Sequence, residues 1–190
     1  YDGAIIVNKG DLLATTTSDA NGKVNFGLDL PFSTYKISEE KTLWGYIKCD
    51  AQTVTTSYPD TTTEDSPYVN TFYNELVRGR LEVTKTGPTL SAFENGQFVW
   101  KERGLVGAEF TVYADGDIYS ADNQQRLVYA DGDKVGTLTT DANGKGVLTN
   151  LPLGDYTLVE TKAPSGYVID RTPISFSVEY VNDATPTVVV

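Results

Sequence analysis

Successive side chains of a β-strand point to opposite faces, so residues two apart look the same way. In Tyr156-Thr-Leu158-Val-Glu160 a carboxylate falls on the face of Tyr156 and Leu158, and Tyr35-Lys-Ile37-Ser-Glu39 repeats the arrangement. Leu81-Glu-Val83-Thr-Lys85 places an ammonium on the face of Leu81 and Val83, and Phe72-Tyr-Asn74 places a primary amide on the side of an aromatic ring. A charge isolated in an apolar core must be paired, neutralised or consumed. Burial raises a carboxyl pKa and lowers an amine pKa, so a buried Lys–Glu pair is expected as neutral acid and neutral amine. A neutral amine is a nucleophile, and a neutral carboxylic acid can donate its proton to a carbonyl oxygen. With an Asn side chain alongside, the amine attacks the amide carbon, the Glu shuttles protons, ammonia leaves and a Lys–Asn amide remains. Fixed placement supplies the effective molarity that so sluggish a reaction needs. A strand-end Lys or Glu can instead snorkel to water; recurrence of the Glu in two segments argues for the interior position.

The recurrence belongs to a longer repeat. Gly10 to Lys23 reads GDLLATTTSDANGK and Gly132 to Lys145 reads GDKVGTLTTDANGK, an offset of 122. Leu30 to Tyr46 (LPFSTYKISEEKTLWGY) then faces Leu151 to Tyr167 (LPLGDYTLVETKAPSGY) at an offset of 121. A sustained offset with one single-residue gap indicates duplication. Asn21-Gly22 and Asn143-Gly144 predict type I′ hairpin turns, in which both central residues take positive φ. Asp115-Gly116 and Asp131-Gly132 mark two more turns. Asp115-Gly116-Asp117 lacks the alternating ligands and terminal Glu of an EF-hand, so it is expected as a solvated turn without calcium. Strand-like runs every eight to twelve residues without helical period predict an all-β chain: two tandem Greek-key, immunoglobulin-like or prealbumin-like β-sandwiches. The division falls at about residue 78, giving a first domain over 1–78 that is incomplete at its start and a second over 79–190 whose last strand is cut at its end.

Composition narrows the chemistry. The 190 residues include 15 Lys and Arg against 26 Asp and Glu, a net charge of −11, which repels a phosphate backbone. The chain has no His, which excludes His-based catalysis, and one cysteine, Cys49, which cannot pair internally. No run approaches the ~20 apolar residues of a membrane span. No nucleic-acid partner, membrane insertion, metal or cofactor is expected. Absence of Met, even at position 1, suggests a processed chain or a fragment, and little sulphur suits an oxidising exterior.

Gly104-Leu-Val-Gly-Ala-Glu-Phe110, Thr140-Asp-Ala-Asn-Gly-Lys145 and Leu151 to Tyr167 resemble a Cna protein B-type domain, the prealbumin-like or SpaA-type module of Gram-positive pilins and surface adhesins. The resemblance covers the second domain and the later part of the first. It implies a secreted, wall-anchored stalk or pilin, of a kind that often carries one self-made isopeptide bond per module. By that resemblance Lys85 matches the first-strand lysine, Glu160 the catalytic glutamate, Glu39 its counterpart in the first module, and Asn74 the last-strand asparagine. Lys9 and Asn182 are secondary candidates. Lys9 lies 30 residues before Glu39, against 75 between Lys85 and Glu160, and Asn182 falls in a turn. Neither module clearly holds all three groups.

The expected partners are neighbouring domains or subunits of one surface fibre. The alternative is an adhesin domain that binds host matrix protein or glycan through loops, for which Thr53 to Tyr68 and Leu90 to Trp100 are the inviting segments. The first is expected as a solvated loop and the second as a hairpin packed on the sandwich. A turnover enzyme, such as a carboxylate-pair glycosidase, has no cleft-forming pair to support it. Isopeptide formation occurs once per molecule. Tyr58-Pro59-Asp60 lacks the lysine of a pilin-linking motif, and Cys49 has no assigned role.

Overall fold

Alternation of apolar with polar side chains, rich in Thr, Val and Tyr, makes strands of much of this chain. The computed structural model describes residues 6–57, 68–122 and 125–190, and no helix occurs among these described residues. Two compact units are present, one from residues 1–37 with 52–69 and one from residues 38–51 with 70–190. Residues 38–51 and 70–78, which carry first-repeat sequence, lie in the larger unit. Tyr58-Pro59-Asp60 and most of the Thr53 to Tyr68 segment fall outside the described residues.

In the smaller unit β1 (Thr34–Ile37) pairs antiparallel with β2 (Gln52–Thr55), Tyr35 against Val54. The Tyr35 hydroxyl donates to the Pro31 carbonyl, and the buried Thr56 hydroxyl accepts the Ser33 N–H.

The larger unit is a sandwich. In one sheet β3 (Arg78–Thr84) lies between β10 (Lys145–Leu151), antiparallel, and β13 (Thr187–Val189), parallel. The other runs β12 (Ile174–Val178), β11 (Gly154–Lys162), β6 (Glu109–Ala114), β9 (Lys134–Thr139), antiparallel throughout. Leu81 and Leu151 of the first sheet join Phe110, Val112, Leu138, Tyr156, Leu158 and Val178 of the second in one buried cluster. Each such side chain contributes ~1.5–3 kcal/mol on leaving water. Tyr156 is fully buried, stacks on Phe176 at 5.2 Å, and donates its hydroxyl to the Pro152 carbonyl at 2.7 Å. Burial pushes that hydroxyl's pKa up. Two two-stranded pairs also lie in this unit: β4 (Thr86–Glu94) with β5 (Gln97–Gly104), and the short β7 (Ile118–Tyr119) with β8 (Leu127–Tyr129).

The Asn-Gly turns differ from the type I′ expectation. Asp141 N–H donates to the Lys145 carbonyl and Gly144 N–H to the Asp141 carbonyl, and Gly144 has φ +75 whereas Asn143 is not among the positive-φ residues. This is a type I turn followed by a left-handed glycine. Asp141 decides it, because its Oδ1 accepts both the Asn143 and Lys145 N–H groups at 2.8 and 2.9 Å. Asp19 does the same for Asn21 and Lys23. Among the described residues, the turn with two positive-φ central residues is Asn95-Gly96, at φ 51 and 79, between β4 and β5. At the Asp-Gly turns, Asp131 Oδ1 accepts the Gly116 N–H and Asp117 Oδ1 the Asp131 N–H, so both carboxylates are engaged by backbone.

Candidate functional site

Lys85 follows the last residue of β3, continuing the face on which Leu81 is buried and Val83 half-buried. Its backbone is clamped: Lys85 N–H donates to the Gly144 carbonyl at 2.8 Å, and its carbonyl accepts the Leu105 N–H at 2.9 Å. A Cβ on Gly144 would run into the Lys85 carbonyl and Gly104, so glycine is required there by close approach as well as by φ. The aspartate-capped turn thereby fixes where the amine is attached.

β11 delivers Glu160. Its alternation buries Tyr156, Leu158 and Glu160 in succession, and Glu160 is 2% exposed. Lys85 Nζ stands 3.1 Å from Glu160 Oε2, and the Asp170 N–H donates to the same oxygen at 2.8 Å. Glu160 Oε1 is buried without a hydrogen-bond partner. Leaving a buried polar atom unpaired costs ~1–3 kcal/mol, so this oxygen sits in a state that a donor or proton would relieve. Asp170 itself is held below the usual carboxylate range by the Thr172 hydroxyl and N–H and by the Lys85 charge.

A second cluster forms around Glu39. Asn74 Nδ2 lies 2.7 Å from Glu39 Oε2, 2.9 Å from Thr42 Oγ1 and 2.9 Å from the Ile47 carbonyl oxygen. Cys49 donates to the same Glu39 oxygen through its N–H at 3.1 Å and its thiol at 3.4 Å. Partial burial works to raise the Glu39 pKa, but the donors from Asn74, Cys49 and Thr42 outweigh it and hold the group below its ordinary value. The Cys49 thiol is pushed up by burial and by the Glu39 carboxylate.

The two clusters are built alike. Glu39 receives the N–H of the residue ten positions on, Cys49, and Glu160 receives that of Asp170, also ten positions on. Cys49 and Asp170 lie beyond the matched blocks, which end at Tyr46 and Tyr167, and Thr42 stands where the second repeat has Ala163, so the repeat gave no signal for these donors. The structure brings Lys85 to Glu160 and Asn74 to Glu39. Lys9 stands in an exposed turn closed by Asn8 and Asp11. Asn182 Oδ1 caps its own turn, accepting the Ala184 N–H and the Thr185 hydroxyl. No metal-binding group of His, Cys, Asp or Glu occurs among the described residues.

Two facing sheets with a glutamate on the inner face of a central strand define a prealbumin-like sandwich with a buried carboxyl group. The family model for the prealbumin-like SpaA domain matches residues 4–67 and 100–190, and the chain belongs to this family. Glu39 and Glu160 fall within the matched residues, whereas Asn74 and Lys85 lie between them. The serine-aspartate repeat-containing protein F of Staphylococcus epidermidis is 29% identical over 172 residues, covering 83% of this chain and 9% of the relative. The chain thus spans under a tenth of that relative's length. Among solved structures it is similar to the Bacillus anthracis TIE protein (26% identity, 91% of this chain, 27% of that one, TM-score 0.48). It is also similar to BcpA, the major pilin subunit of Bacillus cereus (24% identity, 63% of this chain, 33% of that one, TM-score 0.34).

Proposed function

We propose that the chain is a stalk-type or pilin-type structural module pair of a Gram-positive surface protein, stiffened by Lys–Asn isopeptide bonds formed within each module. The observation that carries this reading is the buried Glu160 with the Lys85 amine at 3.1 Å and its second oxygen unpartnered. The Glu39 cluster supports it from the other side, presenting an amide to the equivalent acid at 2.7 Å. One cluster holds amine with acid, the other amide with acid, and the repeat offset gives the two acids one role.

In a complete site the Lys Nζ adds to the Asn Cγ, and a new C–N bond forms as the amide C–N bond breaks. The amine proton passes through the Glu carboxyl to the departing nitrogen, which leaves as ammonia, and the Glu is regenerated. Lys85 is the strand partner of the second module and Asn74 that of the first, with the modules dividing near residue 78. Asn182 is a poor partner because its amide oxygen already closes a turn. The step happens once per module, so it is maturation and not enzymatic turnover. The partners are neighbouring domains or subunits of a surface fibre outside the cell, a location that follows from the family resemblance.

Intact mass tests the chemistry. β13 runs parallel to β3 with Val189 against Arg80, so an extension of β13 can carry an Asn alongside Lys85. Such a chain should weigh less by one ammonia, and its Glu160→Ala form should keep the full mass. Full mass in both overturns the reading.

A further inference from the structure

The β4–β5 hairpin shows Leu90, Phe93, Phe98 and Trp100 to solvent, each more than half exposed, the opposite of the expected packing on the sandwich. That face offers apolar surface and little else, so it selects no occupant. A groove beside Trp44 is more discriminating. It measures about 390 Å³ and lies in the larger unit, where β11 begins at Gly154 and β12 ends at Val178, its register partner. Trp44, Leu153, Val178 and Tyr180 supply its apolar lining, and Asp155 and Glu179 its charge. The Trp44 and Tyr180 rings stand 5.7 Å apart at 53°, and Trp44 is 62% exposed. Its turn is fixed. The Tyr46 N–H donates to the Leu43 carbonyl at 3.2 Å, and the Gly45 carbonyl accepts the Val77 N–H at 2.8 Å. Gly45 is buried at φ +82, and a Cβ there would collide with Ala121. The second repeat closes the same turn, Tyr167 N–H to Pro164 carbonyl at 3.1 Å, with Ser165 in the place of Trp44. The turn therefore forms without an indole, and the fold does not account for this one.

The chemistry of the groove selects its ligand. Its charge is all negative, and neither carboxylate forms an ion pair among the described residues. Asp155 Oδ1 accepts the Ser177 hydroxyl at 2.6 Å, which fixes the carboxylate and leaves Oδ2 for a ligand. The charged groups only accept, so the ligand must bring donors. Sugar hydroxyls ask for donors as well, and no Asn, Gln, Lys or Arg lines the groove. Two carboxylates also fall short of the six to eight or so oxygens of a calcium cage. A guanidinium meets each demand. It carries five N–H donors and no acceptor, pairs with carboxylates in a planar fork, and stacks its face on indole and phenol rings. The net charge of −11 raises the local concentration of such a cation.

We propose that the Trp44–Tyr180 groove binds an arginine side chain presented by a segment of a partner protein, the guanidinium lying against the two rings and donating to the Asp155 and Glu179 carboxylates. This goes beyond the stalk reading and stands whether or not any isopeptide forms.

The probe is acetyl-Gly-Arg-Gly-amide, titrated into the full chain at ~0.15 M salt, where longer-range attraction is screened. The Trp44 indole N–H resonance should shift saturably, with a dissociation constant on the order of 1–10 mM, while that of Trp100 stays in place. The citrulline peptide, alike in shape but uncharged, should bind at least ~5-fold more weakly. Glu179→Gln should weaken the arginine peptide by roughly 3–10-fold, whereas Glu94→Gln, which removes the same charge from β4, should not. Trp44→Ser brings in the residue that the second repeat carries in this turn, so the turn is kept. Read at the Tyr180 amide, it should also weaken binding by roughly 3–10-fold. Each of five results would overturn the proposal: no saturation up to ~50 mM, equal binding of the citrulline peptide, equal losses for Glu94→Gln and Glu179→Gln, unchanged binding in Trp44→Ser, or neutral oligosaccharide saturating these resonances in place of the arginine peptide.

Discussion

Two glutamates at one repeat position sit in different electrostatic settings. Glu160 shares one oxygen between an amine and a backbone N–H and leaves the other unpaired, whereas Glu39 gathers its donors from an amide, a thiol, a hydroxyl and a backbone N–H. Glu160→Ala removes the carboxylate that pairs with Lys85, whose side chain is 23% exposed. Water reaches that amine, so the cost should be about 1–3 kcal/mol and not the larger penalty of a fully buried, unpaired group, read as a lower midpoint in urea. Glu39 has the opposite lever. Its folded pKa lies below the ordinary 4.5, so its contribution to stability is fully present above 4.5 and is lost as pH falls through the lowered value. The Asn74 side-chain amide resonances should hold steady above that window and move together with the Glu39 carboxyl signal below it. Amide signals that shift near neutral pH would separate Asn74 from Glu39.

At the scale of strands and turns, a tyrosine hydroxyl tied to a carbonyl four residues upstream occurs in both repeats, Tyr35 to Pro31 and Tyr156 to Pro152. Tyr156→Phe leaves a buried carbonyl without its donor and should cost ~1 kcal/mol. Gly144→Ala must force both a left-handed φ and a collision with the Lys85 carbonyl, so about 1–3 kcal/mol is expected. Gly22→Ala meets open space at the equivalent turn and should cost ~1 kcal/mol or less. Equal losses at the two glycines would remove Gly144 from its role in seating Lys85. The alternation of Tyr156, Leu158 and Glu160 was legible because period two alone decides which face a side chain takes. The turn type was not, because Asp141 and Asp19 reach over the Asn-Gly pair and satisfy N–H groups on its far side. Nor was the donor set of Glu39, since Cys49 and Thr42 arrive on loops that strand periodicity does not describe. The β4–β5 pattern reads equally well as a buried or a bare apolar face; only tertiary placement separates them.

For the whole molecule, the repeat offset located both acids, while the assignment of strands to compact units depended on contacts that cross the repeat boundary. Residues 38–51 bring Glu39, Thr42 and Ile47 to Asn74 in the larger unit, so the amide-bearing cluster is assembled beside sequence of the second repeat. A weld between first and last strands of a module would carry tension through covalent bonds and shield the sheets between. By analogy with a disulfide closing a ~100-residue loop, it should add ~4–5 kcal/mol by restricting the unfolded chain. The welded form of the β13-extended protein should therefore unfold at markedly higher denaturant than its Glu160→Ala counterpart. Peptide mapping of that extended protein tests the weld most directly. A branched peptide joining the Lys85 side chain to the introduced Asn, absent from the Glu160→Ala digest, is the expected product; a linear peptide ending at unmodified, trypsin-cleaved Lys85 would contradict it.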